Sequence, residues 1–274
     1  MESFSNIRII LHYLIISYFC ICTKLQDMTN IEKVLAFNRE YVASGKYREH
    51  VTDKFPDRKL AVLSCMDTRL SVLLQEALGL KNGDAKIIKN AGALVPSKWD
   101  SAMRSIIVAV YELGVDEIMV VAHTNCGACH MGFSHFKEEM LRRGIPEENL
   151  TCSETDLEKW LEGFHDTAAS VCRTVIAIKA HPLMPADIVV RGFIIDSVTG
   201  ELTEIDRVMR IREMEKLYNS GTGLDVLSDY MSSGLWKEDY EADERGEIPH
   251  DIKRGVLSQD GLYNLLQEHE ANQD

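Results

Sequence analysis

Apolar positions along the 274-residue chain change period in an ordered way. Residues 29–45, TNIEKVLAFNREYVASG, carry an apolar stripe at helical spacing between a capping Thr29 or Asn30 and a stopping Gly45, which predicts an amphipathic helix. From Leu60 onward, short continuous apolar runs alternate with longer amphipathic ones. LAVLSC (60–65), AKIIKNAG (85–92) and EIMVVAHT (117–124) read as strands, while RLSVLLQEALGL (69–80) and SAMRSIIVAVYELG (101–114) read as the helices between them. A strand without polar alternation is covered on both faces, and strands alternating with helices make right-handed crossovers in a parallel sheet. DTAASVCRTVIAIKAH (166–181) predicts a further helix ending before Pro182. DIVVRGFIIDSVTGELTEI (187–205) then predicts two strands around the turn Ser197–Gly200, at the far edge of the sheet. The expected fold is α/β: three layers, a mainly parallel central sheet with helices on both faces, and an added edge strand.

Near Asp206 the pattern changes. Residues 207–274 carry eight Lys and Arg against fifteen Asp and Glu, with two helical patterns flanking the loop ERGEIPHD, residues 244–251. This segment reads as a small acidic helical appendage whose charge marks a solvated face. At the other end, residues 7–22, IRIILHYLIISYFCIC, are apolar but include Arg8 and His12 and fall short of the roughly 20 residues that span a bilayer. No A-x-A-like cleavage site follows. Residues 1–27 are therefore an apolar leader of doubtful status: Met28 is the expected start, with a signal or anchor as the alternative. The resulting organisation is 1–27, 28–206 and 207–274.

A net charge of −13 argues against nucleic acid as a partner, because binding a phosphate backbone requires a basic face. Seven cysteines in a chain of this size favour free thiols or metal ligation over a disulfide framework, and hence a reducing, cytoplasmic compartment.

The candidate chemistry sits where strands end. SCMDTRL places Cys65, Asp67 and Arg69 at a strand-to-helix turn, and AHTNCG places His123 and Cys126 at the close of a second strand. If the two strands are neighbours, Cys65, His123 and Cys126 converge at one carboxyl edge, where ligands collect in open α/β sheets. Two thiolates and an imidazole suit zinc and leave a fourth position open. Asp67 could accept a hydrogen bond from zinc-bound water or take the fourth position itself, and Arg69 could hold that carboxylate in a forked ion pair.

Through SCMDTRL, KIIKNAGA and AHTNCG, in that order and in that strand and helix context, the chain resembles the β-class carbonic anhydrases, most nearly their shorter bacterial branch with CMD rather than CSD. The resemblance covers about residues 28–206. It implies one zinc per subunit held by Cys65, His123 and Cys126, a catalytic dyad of Asp67 and Arg69, and a pocket lined by Asn90, Ala91 and Gly92. It further implies reversible hydration of CO2 to bicarbonate by a zinc hydroxide, in a homodimer or higher homo-oligomer. Zinc brings the pKa of its water towards ~7, and two thiolates weaken that effect relative to three histidines, which moves the working range to higher pH. COS or CS2 hydrolysis by the same attack is the rival activity. A non-catalytic zinc or redox-sensing protein, with Asp67 closing the fourth position, is the rival outside enzymes. The appendage resembles a small uncharacterised bacterial helical domain, which supplies no activity.

Other residues have plainer explanations. Asp100 and Arg104, at i and i+4, suggest a helix-surface ion pair. CGACH, residues 126–130, matches the haem-attachment pattern, but that reading leaves Cys65, Asp67 and His123 without purpose. Cys129 is a spare thiol beside the metal site or one that makes the site sensitive to oxidation, His130 and His135 are surface or relay histidines, and Cys152 and Cys172 are small apolar packing residues.

Overall fold

A computed structural model describes residues 28–151 and 156–244. The chain divides into two units, residues 1–52 and 53–274. The described part of the first is helix α1 (Asn30–Ser44), followed by a 3-10 turn at Lys46–His50. Thr29 caps α1: its hydroxyl accepts from the Glu32 N–H while the Glu32 carboxylate accepts from the Thr29 N–H at 2.7 Å. Gly45, left-handed at φ 73°, ends the helix. The apolar stripe of α1, Ile31, Val34, Leu35, Phe37 and Val42, is exposed.

The second unit is built on five strands: β1 (Leu60–Cys65), β2 (Ala85–Asn90), β3 (Glu117–His123), β4 (Val189–Ile195) and β5 (Leu202–Ile205). Their order is β2-β1-β3-β4-β5, with β5 antiparallel to β4 at the edge and every other pairing parallel. Between them run α2 (Leu70–Ala77), α3 (Ser101–Leu113), α4 (Phe133–Arg142), the short α5 (Leu157–Leu161) and α6 (Thr167–Lys179). The expected three-layer α/β architecture with an added edge strand is the one that forms. One apolar cluster joins Ala61, Leu63, Val120 and Ala122 to Met103 and Ile106 of α3 and Val175 and Ile176 of α6. A second cluster joins Val62, Val121 and Ile195 to Leu70 and Leu74 of α2. The sheet is thus covered on both faces, which is why its central strands lack polar alternation. Leu63 is fully buried, and a buried leucine contributes about 1.5–3 kcal/mol.

The helical pattern expected before residues 245–251 is realised as three helices, α7 (Arg207–Ser220), α8 (Leu224–Ser232) and α9 (Leu235–Glu244), while one local expectation needs correction. Gly221, Gly223 and Gly234 adopt left-handed φ of 65°, 66° and 78°, and each interrupts the helical path. Asp100 does not pair with Arg104: its carboxylate caps α3, accepting from the N–H groups of Met103 and Ser97. The second helical pattern of the appendage, the leader 1–27 and Cys152 lie outside the described residues. Among the described residues no helix is long and apolar enough to cross a membrane.

Helix α6 is buried nearly all round because α7 and α8 cover the side turned away from the sheet. Arg173 of α6 donates to Glu213 of α7 at 2.8 Å. Arg210 pairs with Asp239, and Tyr230 donates to the same carboxylate at 2.6 Å, a buried polar set that ties α7, α8 and α9 together.

Candidate metal centre

Strands β1 and β3 are parallel neighbours, with Ser64 opposite Val121, so Cys65 and His123 leave the sheet at the same carboxyl edge. Asn125 then adopts a left-handed conformation at φ 54°, which asparagine tolerates better than most residues, and turns the chain so that Cys126 comes back over that edge. All three side chains are buried, and their donor atoms lie within 4.8 Å of one another.

The geometry suits zinc. The two sulfurs are 3.8 Å apart, whereas a disulfide requires about 2.05 Å. Two thiolates at about 2.3 Å from a tetrahedral zinc would be separated by about 3.8 Å. The His123 Nδ1 lies 2.9 Å from the Thr124 carbonyl, which places the ring proton there and leaves the Nε2 lone pair facing the sulfurs. That Nε2 is fully buried and has no hydrogen-bond partner among the described residues, a costly arrangement for a polar atom unless it is a ligand.

The electrostatics point the same way. Burial raises the Cys65 thiol, but the His123 imidazole and the backbone N–H groups of Gly92 and Asp67 bring it down to about 7. Cys126 is pushed up to about 11, first by burial and then by the neighbouring Cys65 sulfur. Two buried sulfurs this close cannot both ionise cheaply without a cation between them.

Asp67 lies beside this set, its Oδ2 3.8 Å from His123 Nε2. Arg69 forks onto it, Nε to Oδ1 at 2.9 Å and Nη2 to Oδ2 at 2.8 Å, and this clamp holds the carboxyl well below the usual carboxylate range. The fork is itself anchored. Arg69 Nη2 donates to the Asn125 carbonyl at 2.8 Å, and Nη1 reaches the Ser197 hydroxyl at 3.3 Å. The Ser197 N–H donates to the Thr124 hydroxyl, and Thr124 in turn donates to Asp196. Ser197 and Thr124 have no counterpart in the sequence reading. Their signal was the turn DSVTG closing β4 at the same sheet edge, legible only once β4 is known to lie beside β3.

The segment after β2 also meets the centre. Asn90 pairs in register with Cys65, but its side chain clamps its own loop, bonding Leu94 through both N–H and carbonyl. Ala91 is exposed, and Gly92, at φ 88°, is buried with its N–H directed to Cys65. A Cβ on Gly92 would come within 3.2 Å of Leu94 and Phe164, so glycine lets the backbone approach the sulfur. Cys129 is not part of the cluster: its sulfur lies 3.0 Å from His130 Nδ1. Cys172 is buried in α6, its thiol pushed up to about 12 by burial, and behaves as a small apolar residue.

Comparison with known proteins adds an independent line. The family profile described as carbonic anhydrase matches residues 60–201, and a domain of unknown function (DUF4298) matches residues 195–273. YvdA of Bacillus subtilis, provisionally named a carbonic anhydrase, is 42% identical over 198 residues, 71% of this chain and 99% of its own length. A carbon disulfide hydrolase of Acidithiobacillus thiooxidans is 33% identical over 178 residues, 60% of this chain and 80% of its own length. Among solved structures, β-carbonic anhydrase isoform I of Trichomonas vaginalis superposes with a TM-score of 0.60 at 32% identity, covering 65% of this chain and 98% of that one.

Proposed function

This chain belongs to the β-class carbonic anhydrase family of enzymes, and from that premise we propose that it catalyses the reversible hydration of CO2 to bicarbonate and a proton. The observation that carries the reading is the buried trio Cys65, His123 and Cys126, spaced for zinc, beside a carboxylate that Arg69 keeps ionised. Cys65, His123 and Cys126 would hold one zinc per subunit, whose Lewis acidity makes water ionisable near neutral pH.

The chain's own residues supply the rest. Asp67 Oδ2 keeps a lone pair after accepting from Arg69, and it lies close enough to the trio to accept the hydrogen of the attacking water and fix its orientation towards CO2. Arg69 acts as a positioning residue, holding both carboxylate oxygens and setting the plane of the group. Asn90, Ala91 and Gly92 would form the wall beyond Cys65, with Gly92 contributing a backbone donor to that sulfur. We further read 28–206 as the zinc domain and 207–274 as an acidic appendage, of which helices α7 and α8 pack on α6, the exposed stripe of α1 as a homo-oligomer contact, and the cytoplasm as the site of action.

Carbon disulfide hydrolysis is the second reading, favoured by the relative of that name. The same trio and dyad suit either carbon electrophile. Stopped-flow CO2 hydration on purified protein, with CS2 and COS assayed in parallel and zinc measured on the same sample, tests the choice. We expect CO2 hydration to dominate; hydrolysis of CS2 or COS with no CO2 hydration would reverse the assignment.

A further inference from the structure

Beyond the buried trio, Cys129 and His130 follow Cys126 in the same loop and lie beside residues 163–165. The approach is built into the backbone. His130 N–H donates to the Phe164 carbonyl at 2.7 Å, Gly163 N–H to Met131 at 2.9 Å, and Phe164 N–H to Ala128 at 3.2 Å. A Cβ at position 163 would sit 2.0 Å from the Ala128 carbonyl oxygen, so only glycine permits the contact. His130 completes it in a left-handed conformation at φ 62°.

This bridge gathers soft donors at the surface. Cys129 Sγ is 3.0 Å from His130 Nδ1, the His130 and His165 rings are 5.7 Å apart, and His165 Nε2 is 3.8 Å from Glu162 Oε1. Around one tetrahedral zinc the corresponding separations would be about 3.6 Å, about 5.2 Å and about 3.4 Å, so each differs by no more than about 0.6 Å. His165 and Glu162 are exposed, with side-chain exposures of 73% and 57%, so a shared site requires these two side chains to turn towards Cys129 and His130. None of the four belongs to the trio or the dyad, and the donor set of sulfur, two imidazoles and a carboxylate selects zinc-like ions over magnesium or calcium.

We propose that Cys129, His130, His165 and Glu162 form a second, exchangeable site for a zinc-like divalent cation, which staples the Ala128–Met131 loop to residues 163–165. The site is independent of the activity read from the buried trio. Its exposure makes it weaker than the buried site and open to chelators.

Zinc titration of the full chain against a chromophoric chelator tests the assignment. Wild type should take up one tight and one weaker equivalent. Cys129→Ser and His165→Ala should each weaken the second at least tenfold and keep the first, whereas Cys65→Ser should do the reverse. Cobalt(II) added to protein carrying only the tight zinc equivalent should give a near-ultraviolet thiolate charge-transfer band that Cys129→Ser abolishes, and circular dichroism confirms that each variant is folded. A single equivalent in wild type, or a second equivalent that survives either Cys129→Ser or His165→Ala, overturns the site. Loss of the tight equivalent alone would count against the trio and leave this site standing.

Discussion

Replacing Arg69 with lysine separates the charge of the clamp from its shape. The Arg69 side chain makes two hydrogen bonds to Asp67, one to the Asn125 carbonyl and a longer one to Ser197. A lysine ammonium keeps the positive charge but cannot span both carboxylate oxygens while reaching Asn125. A hydrogen bond to a charged group is worth about 1.5–3 kcal/mol. Because the Arg69 side chain is 44% exposed, solvent screening reduces the loss to about 1–2 kcal/mol. Expressed in the transition state, that is roughly a 5- to 30-fold fall in kcat/KM. Ser197→Ala removes the 3.3 Å contact to Arg69 and the 3.2 Å contact between the Ser197 and Thr124 hydroxyls, and should cost about 0.5–1 kcal/mol, or roughly two- to fivefold.

The assay is stopped-flow CO2 hydration with zinc measured on each sample. Zinc content should match wild type in both variants, because neither residue is in the trio. If Arg69 works by holding Asp67, Arg69→Lys should cost little once Asp67 is already asparagine, a non-additivity that a purely structural role would not produce. Wild-type rates in Arg69→Lys, a larger loss in Ser197→Ala than in Arg69→Lys, or full additivity with Asp67→Asn would each refute the positioning argument.

Three further outcomes follow from particular contacts. His123→Ala should leave the protein folded but lower its tight zinc content several-fold by elemental analysis, since it deletes the imidazole whose buried Nε2 has no hydrogen-bond partner among the described residues; undiminished zinc would mean that the trio is not the site. Asp239→Ala should destabilise by about 3–5 kcal/mol in denaturant titrations because Arg210, 14% exposed, is left charged without its carboxylate, and an unchanged midpoint would refute the role given to this pair. Asp196 accepts from the N–H groups of Thr199 and Val198 and from the Thr199 hydroxyl, which holds its carboxyl below the ordinary value. Its contribution is therefore complete above the unfolded value of about 3.9 and lost as pH falls through the lower folded one. Asp196→Asn should lower the melting temperature at pH 7, with the gap to wild type closing below about pH 4; a gap constant down to pH 3 would contradict this.

What was legible in the sequence, and what was not, follows from the range of the interactions. The strand Leu60–Cys65 and its partner ending at His123 declare themselves by continuous apolar runs, and parallel pairing forces their ends together, so the convergence of the trio is legible in the sequence. The anchoring of Arg69 could not. Ser197 lies 128 positions along the chain from Arg69, and only the placement of β4 beside β3 brings the DSVTG turn to the dyad. Helix α6 shows the opposite case. Its apolar character was visible, but the burial of Ser170, Thr174 and Cys172 follows from helices α7 and α8, which belong to a segment whose overall acidic composition reads as solvated. A polar helix still buries one narrow stripe, here Ile211, Met214 and Leu217, and the glycine breaks at 221 and 223 fold the next helix back over the same surface. The appendage is therefore part of what keeps α6 dry, and α6 supports β3 and β4, the strands that carry His123 and lead to Ser197. Loosening the Arg173–Glu213 contact between α6 and α7 would reach the dyad only through that sheet edge, which makes α7 and α8 a determinant of stability first and of turnover second.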